Sequence, residues 1–143
     1  MSGILLLALF LLSGGAQTPS MRDSKATVII ANKTNRLDSI SRSQLKIIYL
    51  RKVSRWPWGA ETVPVDLPHR HPTRDLFVKT VLDSNVEDLA VYWIDQKVTR
   101  NVDPPVEAGS PDAVKALVAS RPGAIAYIPA AAVDSTVKVL EVR

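Results

Sequence analysis

The chain contains no cysteine, which excludes disulfide staples, thiolate chemistry and a lipidated cysteine anchor. Export to an oxidising compartment stays compatible, because disulfides are permitted there and not required. Concentrated positive charge is also missing. Lys and Arg number 18 against 14 Asp and Glu, but they are spread along the chain with no run of five or more, so the net charge of +4 reads as solubility. A nucleic-acid partner calls for a basic stripe interleaved with aromatics, and none is present. No internal repeat or low-complexity tract occurs. The longest apolar run, Ile4 to Leu12, is too short to span a bilayer, which takes about 20 residues in a helix.

That run is followed by the small residues Ser13-Gly14-Gly15-Ala16. Residues 1–16 are therefore expected to be a secretory signal peptide cleaved near Ala16, although no Lys or Arg precedes the run. A retained membrane anchor is the alternative. The expected location is periplasmic or secreted, and after cleavage the chain is not expected to be an integral membrane protein. Residues 17–25 form a polar leader, and residues 26–143 are long enough for one domain with its own core.

Within that domain the β-branched run Thr27-Val28-Ile29-Ile30-Ala31 predicts a buried strand. Ser41 and Gln44 predict a capping box, with Leu45, Ile48 and Tyr49 on the buried face of the helix that follows. Val63 and Val65 predict a short strand, whose Pro64 points to an edge or a first position. A helix is expected to open near Pro72 and to bury Leu76, Phe77 and Val81. Ser84 and Glu87 predict a second capping box, before a helix with Val86, Leu89, Ala90, Trp93 and Ile94 in period. Val98 to Gly109, with Pro104-Pro105, reads as a long loop. Ser110-Pro111 starts another helix, burying Val114, Leu117 and Val118, and Arg121-Pro122-Gly123 stops it. Ala124 to Ile128 and Val137 to Val142 read as strands. Strands and helices are interspersed, which predicts an α/β layer arrangement.

An ordered set of local features resembles one family: Ser41-Arg42-Ser43-Gln44-Leu45-Lys46-Ile47-Ile48-Tyr49-Leu50, Arg55-Trp56-Pro57, Val63-Pro64-Val65-Asp66, Thr73-Arg74-Asp75-Leu76-Phe77, Tyr92-Trp93 and Pro122-Gly123-Ala124-Ile125-Ala126-Tyr127. In this succession they resemble the periplasmic phosphate-binding-protein-like domain, the substrate-binding component of phosphate ABC transporters and its short relatives. The resemblance spans about residues 26 to 130 and implies a single lobe of the type II periplasmic-binding-protein fold, a mixed sheet flanked by helices. It also implies an anion held where helix N-termini meet a cleft. Three departures stand out. Thr73 keeps the family's threonine, but Pro72 stands for its glycine and His71 for its serine. The family's arginine and aspartate fall near Leu67 and His69, so the usual phosphate site is largely lost. Ala126 stands where the family usually has glycine.

Thr73 and Arg74 carry the best functional case, because a hydroxyl and a guanidinium at a helix start both reach toward an anion. Arg70 and His71 lie just before them, and these four are the candidate ligand-binding residues; the competing reading leaves Thr73 to cap the helix and Arg74 to pair with a surface carboxylate. His69 and His71, with Asp66 nearby, have the look of metal ligands, but no third ligand sits at motif spacing and a solvated loop is the expected reading. Trp93 has the period of a core residue and Trp56 that of a packing anchor, which leaves Trp58 as the exposed aromatic. Ser39, Ser41 and Ser43 lack a nucleophile elbow. Asn32-Lys33-Thr34 has the spacing of a glycosylation sequon.

The expectation is thus an exported α/β lobe without catalytic activity, metal or cofactor. It would bind a small oxyanion such as phosphate, or another small polar ligand, as an accessory to an ABC transporter or an envelope sensor. The alternative is an interaction module of the cell envelope that keeps the fold without a ligand.

Overall fold

A computed structural model describes residues 26–143, so the expected signal peptide and polar leader lie outside the described residues. Six strands form one mixed sheet: β1 (Thr27–Ala31), β2 (Ser39–Ile40), β3 (Val63–Asp66), β4 (Val106–Glu107), β5 (Ala124–Pro129) and β6 (Lys138–Val142), in the order β2-β6-β1-β5-β3-β4. Four helices flank it: α1 (Arg42–Tyr49), α2 (Pro72–Thr80), α3 (Val86–Arg100) and α4 (Pro111–Ser120). β1 runs antiparallel to both its neighbours, with Ile29 opposite Tyr127 of β5 and Leu140 of β6. β3 runs parallel to β4 and to β5. Parallel neighbours need crossover connections; α2 and α3 carry the chain from β3 to β4, and α4 carries it back to β5. The carboxyl ends of β4, β3 and β5 therefore lie side by side at one end of the sheet.

The expected α/β layering and the strands around 27–31, 63–65, 124–128 and 137–142 are all present. The Ser41 capping box forms: Ser41 Oγ accepts from the Gln44 amide at 3.0 Å, and Gln44 Oε1 accepts from the Ser41 amide at 2.9 Å. Pro64 is not at an edge, because β3 has a neighbour on each side. The amide of Val63 points to β5, donating to Gly123 O, so by alternation the Pro64 position faces β4, whose pairing with β3 begins only at Val65. No ladder bond is lost there.

The second helix cap differs from the expectation. Asn85 rather than Ser84 caps α3: its Oδ1 accepts from the Asp88 amide at 2.8 Å, and its Nδ2 donates to Asp88 Oδ2 at 3.0 Å. The side-chain amide of Asn satisfies the same orphan donor as a serine hydroxyl, one residue later. α3 runs into the first three residues of the expected loop, to Arg100, and ends at Asn101 in the left-handed conformation (φ 53°). Its expected stripe is only partly buried: Leu89 is covered, whereas Ala90 and Ile94 are exposed, and Val91 and Val98 outside the stripe are exposed as well, with Val91, Ile94 and Val98 at 67%, 66% and 80%. Trp93 is half-buried rather than in the core, and on α2 Leu76 is exposed while Phe77 and Val78 carry the burial. The two-residue strands β2 and β4 have no periodicity to betray them; their pairing is a tertiary event.

The core gathers on β5, whose residues Ala124 to Ile128 are fully buried. The Tyr127 ring stacks on Phe77 of α2 (centroids 3.9 Å apart) and tilts against Tyr49 of α1 at 5.7 Å. Tyr49 places its hydroxyl on Val65 O at 2.8 Å. These rings fasten α1 and α2 to the ends of β3 and β5, and aromatic pairs of this kind add about 0.5–1.5 kcal/mol each beyond burial. Trp58 stacks on buried Trp56 with its plane 5° off parallel and lies under Arg36, half-buried rather than free. Asn32, the sequon residue, is buried; its Nδ2 donates to Val118 O at 2.9 Å and Ala119 O at 3.1 Å, closing the C-terminal turn of α4.

Gly123 is the tightest backbone approach. It has φ +87°, and a Cβ there would lie 2.0 Å from the carbonyl oxygen of Glu61. Its own carbonyl accepts from Trp56 Nε1 at 2.9 Å and from the Val63 amide at 3.0 Å. Gly123→Ala meets both a left-handed backbone and a main-chain clash, and is expected to cost more than about 2 kcal/mol by urea denaturation. Gly59→Ala, with positive φ but open space around it, should cost less.

Candidate functional site

The carboxyl ends of parallel strands are where α/β sheets present ligand sites, and here they bring together Asp66 at the end of β3, Glu107 at the end of β4 and the start of α2. Asp66 is buried. Its Oδ1 accepts from the Tyr127 hydroxyl at 2.7 Å, and the Tyr127 hydroxyl oxygen in turn accepts from the Leu67 amide at 3.3 Å. Arg74, in the first turn of α2, reaches back over this end of the sheet. Its Nη1 donates to Leu67 O at 2.9 Å and to Glu107 Oε2 at 3.1 Å, and its Nη2 lies 3.7 Å from Asp66 Oδ2. Arg74 Nε is buried without a hydrogen-bond partner among the described residues.

The four residues singled out from sequence cluster in part. His71 is the N-cap of α2: its Nδ1 accepts from the Thr73 amide at 3.1 Å, while the amides of Arg74 and Asp75 bond to His71 O. Thr73 is consequently the second helical residue and buried, not the cap; an imidazole nitrogen performs the task expected of the hydroxyl. Arg74 is held among the two carboxylates rather than paired on the open surface. Arg70 lies on the turn before the helix, exposed, as does His69. Among the described residues no three His, Asp or Glu side chains come together in a metal-binding arrangement. Tyr127 and Glu107 escaped sequence reasoning. Tyr127 sits in an apolar run and reads as core; Glu107 sits in a segment without pattern, and only the pairing of β4 with β3 places it.

Burial raises the Asp66 carboxyl to about 6, against the opposing pull of the Arg74 guanidinium and the Tyr127 hydrogen bond; the neighbouring Glu107 charge pushes it up as well. Burial, with the charge of Asp66, also drives the Tyr127 phenol far above its ordinary range, so it stays a hydrogen-bond donor. The cluster of one guanidinium and two carboxylates therefore carries net negative charge once Asp66 is ionised. Elsewhere, a concavity of about 170 Å³ lies between α1 and the Trp56 turn, lined by Leu37, Ile40, Ile47, Ile48 and Trp56 among others. Its walls are mainly apolar, and the polar groups at it are engaged: Gln44 in the α1 cap, Arg55 on Gly59 O. It offers an anion little.

Sheet order and helix placement are those of an α/β lobe of the periplasmic-binding-protein fold. Several solved structures share it. They include an ABC-type phosphate transport receptor from Vibrio cholerae (19% identity, TM-score 0.64, covering 81% of this chain and 45% of that one). A protein from Clostridium perfringens assigned as a phosphate ABC transporter substrate-binding protein, solved with bound phosphate, is 25% identical (TM-score 0.65, 81% and 44% covered). PstS from Borrelia burgdorferi is 12% identical (TM-score 0.63, 82% and 47% covered). The resemblance read from sequence is thus matched in three dimensions, and the chain spans less than half the length of these proteins. No family model matches the chain, and no curated protein matches it in sequence.

The shifted carboxyl makes a pH signature. With a folded value of about 6 against 3.8 for the free side chain, the native state holds a proton that the unfolded state has released. The contribution of Asp66 to stability is therefore full below about pH 4 and is lost as pH rises through about 6. In urea titrations the stability of the wild type relative to Asp66→Asn, which keeps an acceptor for Tyr127, is expected to fall across that window and level off above it.

Proposed function

We propose that this chain binds a small, phosphate-like oxyanion at the carboxyl ends of β3, β4 and β5, as an exported accessory to transport or sensing and not as an enzyme. One observation carries the reading: the guanidinium of Arg74, in the first turn of α2, is held by buried Asp66 and Leu67 O, with half-exposed Glu107, at the end of three parallel strands. A helix start contributes partial positive charge, and a guanidinium forks onto two oxygens of a tetrahedral anion. The fold shared with phosphate-transport receptors supports the same choice of ligand. Thr73 and Arg74 supply the inner donors in this reading, while Arg70 and His71 approach from the turn. One lobe grips from one side only, so the affinity expected of the isolated chain is modest, and a partner surface would complete the enclosure. Among the described residues no helix is long and apolar enough to cross a membrane; delivery to an envelope transporter or sensor would then be by docking.

A second reading, an interaction module that keeps the fold without the ligand, is favoured by the exposed Val91, Ile94 and Val98 on α3 and by the self-pairing of Arg74 with Asp66 and Glu107. Calorimetric titration of the full chain with inorganic phosphate separates the two. Oxyanion binding is expected to give saturable heat, with affinity at least about tenfold weaker when Thr73→Val and Arg74→Gln are combined in a variant that keeps its circular dichroism. Absence of heat with phosphate and sulfate, together with capture of an envelope protein that is lost in Ile94→Asp, selects the module.

A further inference from the structure

We propose that Glu107 is a built-in competitor for the anion: its carboxylate occupies, on Arg74, the place an incoming oxyanion takes, and so sets the affinity of the site. The inference rests on the oxyanion reading above. The two carboxylates beside Arg74 are unequal. Asp66 is buried and tied by the Tyr127 hydroxyl at 2.7 Å, so it cannot withdraw without stranding a buried donor. Glu107 ends a two-residue strand at the edge of the sheet, paired to β3 alone, and its side chain is 49% exposed while bonding Arg74 Nη1 at 3.1 Å.

A carboxylate and a phosphate present the same acceptor geometry to a guanidinium, so Glu107 holds the seat in the manner of a ligand. A half-exposed ion pair is weak and its side chain rotates freely into water, which makes Glu107 the exchangeable partner and Asp66 the fixed one. Arg74 stays in place when the exchange occurs, because Nη1 also donates to Leu67 O at 2.9 Å and the aliphatic stem is largely buried. The displaced carboxylate remains tethered near the anion and repels it, so singly charged oxyanions are favoured over doubly charged ones.

The test compares the wild-type chain with Glu107→Gln, Glu107→Asp and Glu141→Gln by calorimetry with inorganic phosphate at one pH and low salt. Glu107→Gln is expected to bind at least about tenfold more tightly than wild type, and Glu107→Asp, whose shorter side chain withdraws from Arg74, to fall between them. Glu141→Gln removes the same charge from β6, remote in sequence from this cluster, and should leave affinity unchanged. Adding Arg74→Gln to Glu107→Gln should abolish the gain. Equal binding by wild type and both Glu107 variants overturns the competitor and leaves the oxyanion reading standing; so does an equal gain from Glu141→Gln, which makes the effect one of net charge. No binding by any of the four proteins, all folded by circular dichroism, overturns both. If Glu107→Gln fails to fold, Glu107→Asp decides alone.

Discussion

The arrangement depends on one buried carboxylate. Asp66 ends β3 between two parallel neighbours, where water is largely excluded, and an ionised carboxylate in such a place is costly unless donors surround it. The donors come from two other elements: a phenol from β5 and a guanidinium from α2. Tyr127 is in turn held by the Leu67 amide and sandwiched against Phe77. Satisfying Asp66 therefore dictates the register of β3 against β5 and draws the first turn of α2 down onto the end of the sheet. The geometry of the strand-end cluster is a consequence of that accommodation.

In the proposed oxyanion site, stability and recognition draw on the same groups. A free guanidinium at a helix start would attract anions strongly, but burying its stem against a carboxylate gives it an internal partner that no ligand contributes. The result is a cation already oriented, with restricted rotamers, whose ordering cost was met during folding and not on binding. Its outer face is shared with a residue at the sheet edge. In a longer protein of this fold a second part of the chain has room to approach that face; this chain spans less than half the length of the solved proteins it resembles.

α3 shows the same tension between local pattern and global packing. Its sequence has apolar residues at helical spacing, and the helix forms with a reciprocal Asn85–Asp88 cap and a left-handed Asn101 stop. Yet only Leu89 is fully covered; the Tyr92 hydroxyl ties the helix to Leu50 O at 2.8 Å, and the half beyond projects. Periodicity reports that a segment is able to be a helix with a sided surface. It does not report how many neighbours the rest of the chain supplies to cover that surface.

What the amino-acid order determined by itself is whatever short-range chemistry enforces. The Ser41 cap, the Pro72 start and the Pro122-Gly123 stop follow from chemistry within a few residues, and the strands at 27–31 and 124–128 show as short apolar runs, although their pairing with each other spans the chain. The ordered motifs also carried the resemblance to phosphate-binding lobes and pointed to the Thr73-Arg74 turn. Tertiary structure alone decided that His71, not Thr73, caps that turn, that Pro64 is tolerated inside the sheet, and that Val106–Glu107 is a strand at all. It alone brought Asp66, Glu107 and Tyr127 around Arg74, because residues 41 and 61 positions apart in sequence meet only through parallel pairing, and pairing between distant strands leaves no local mark on the residues that make it.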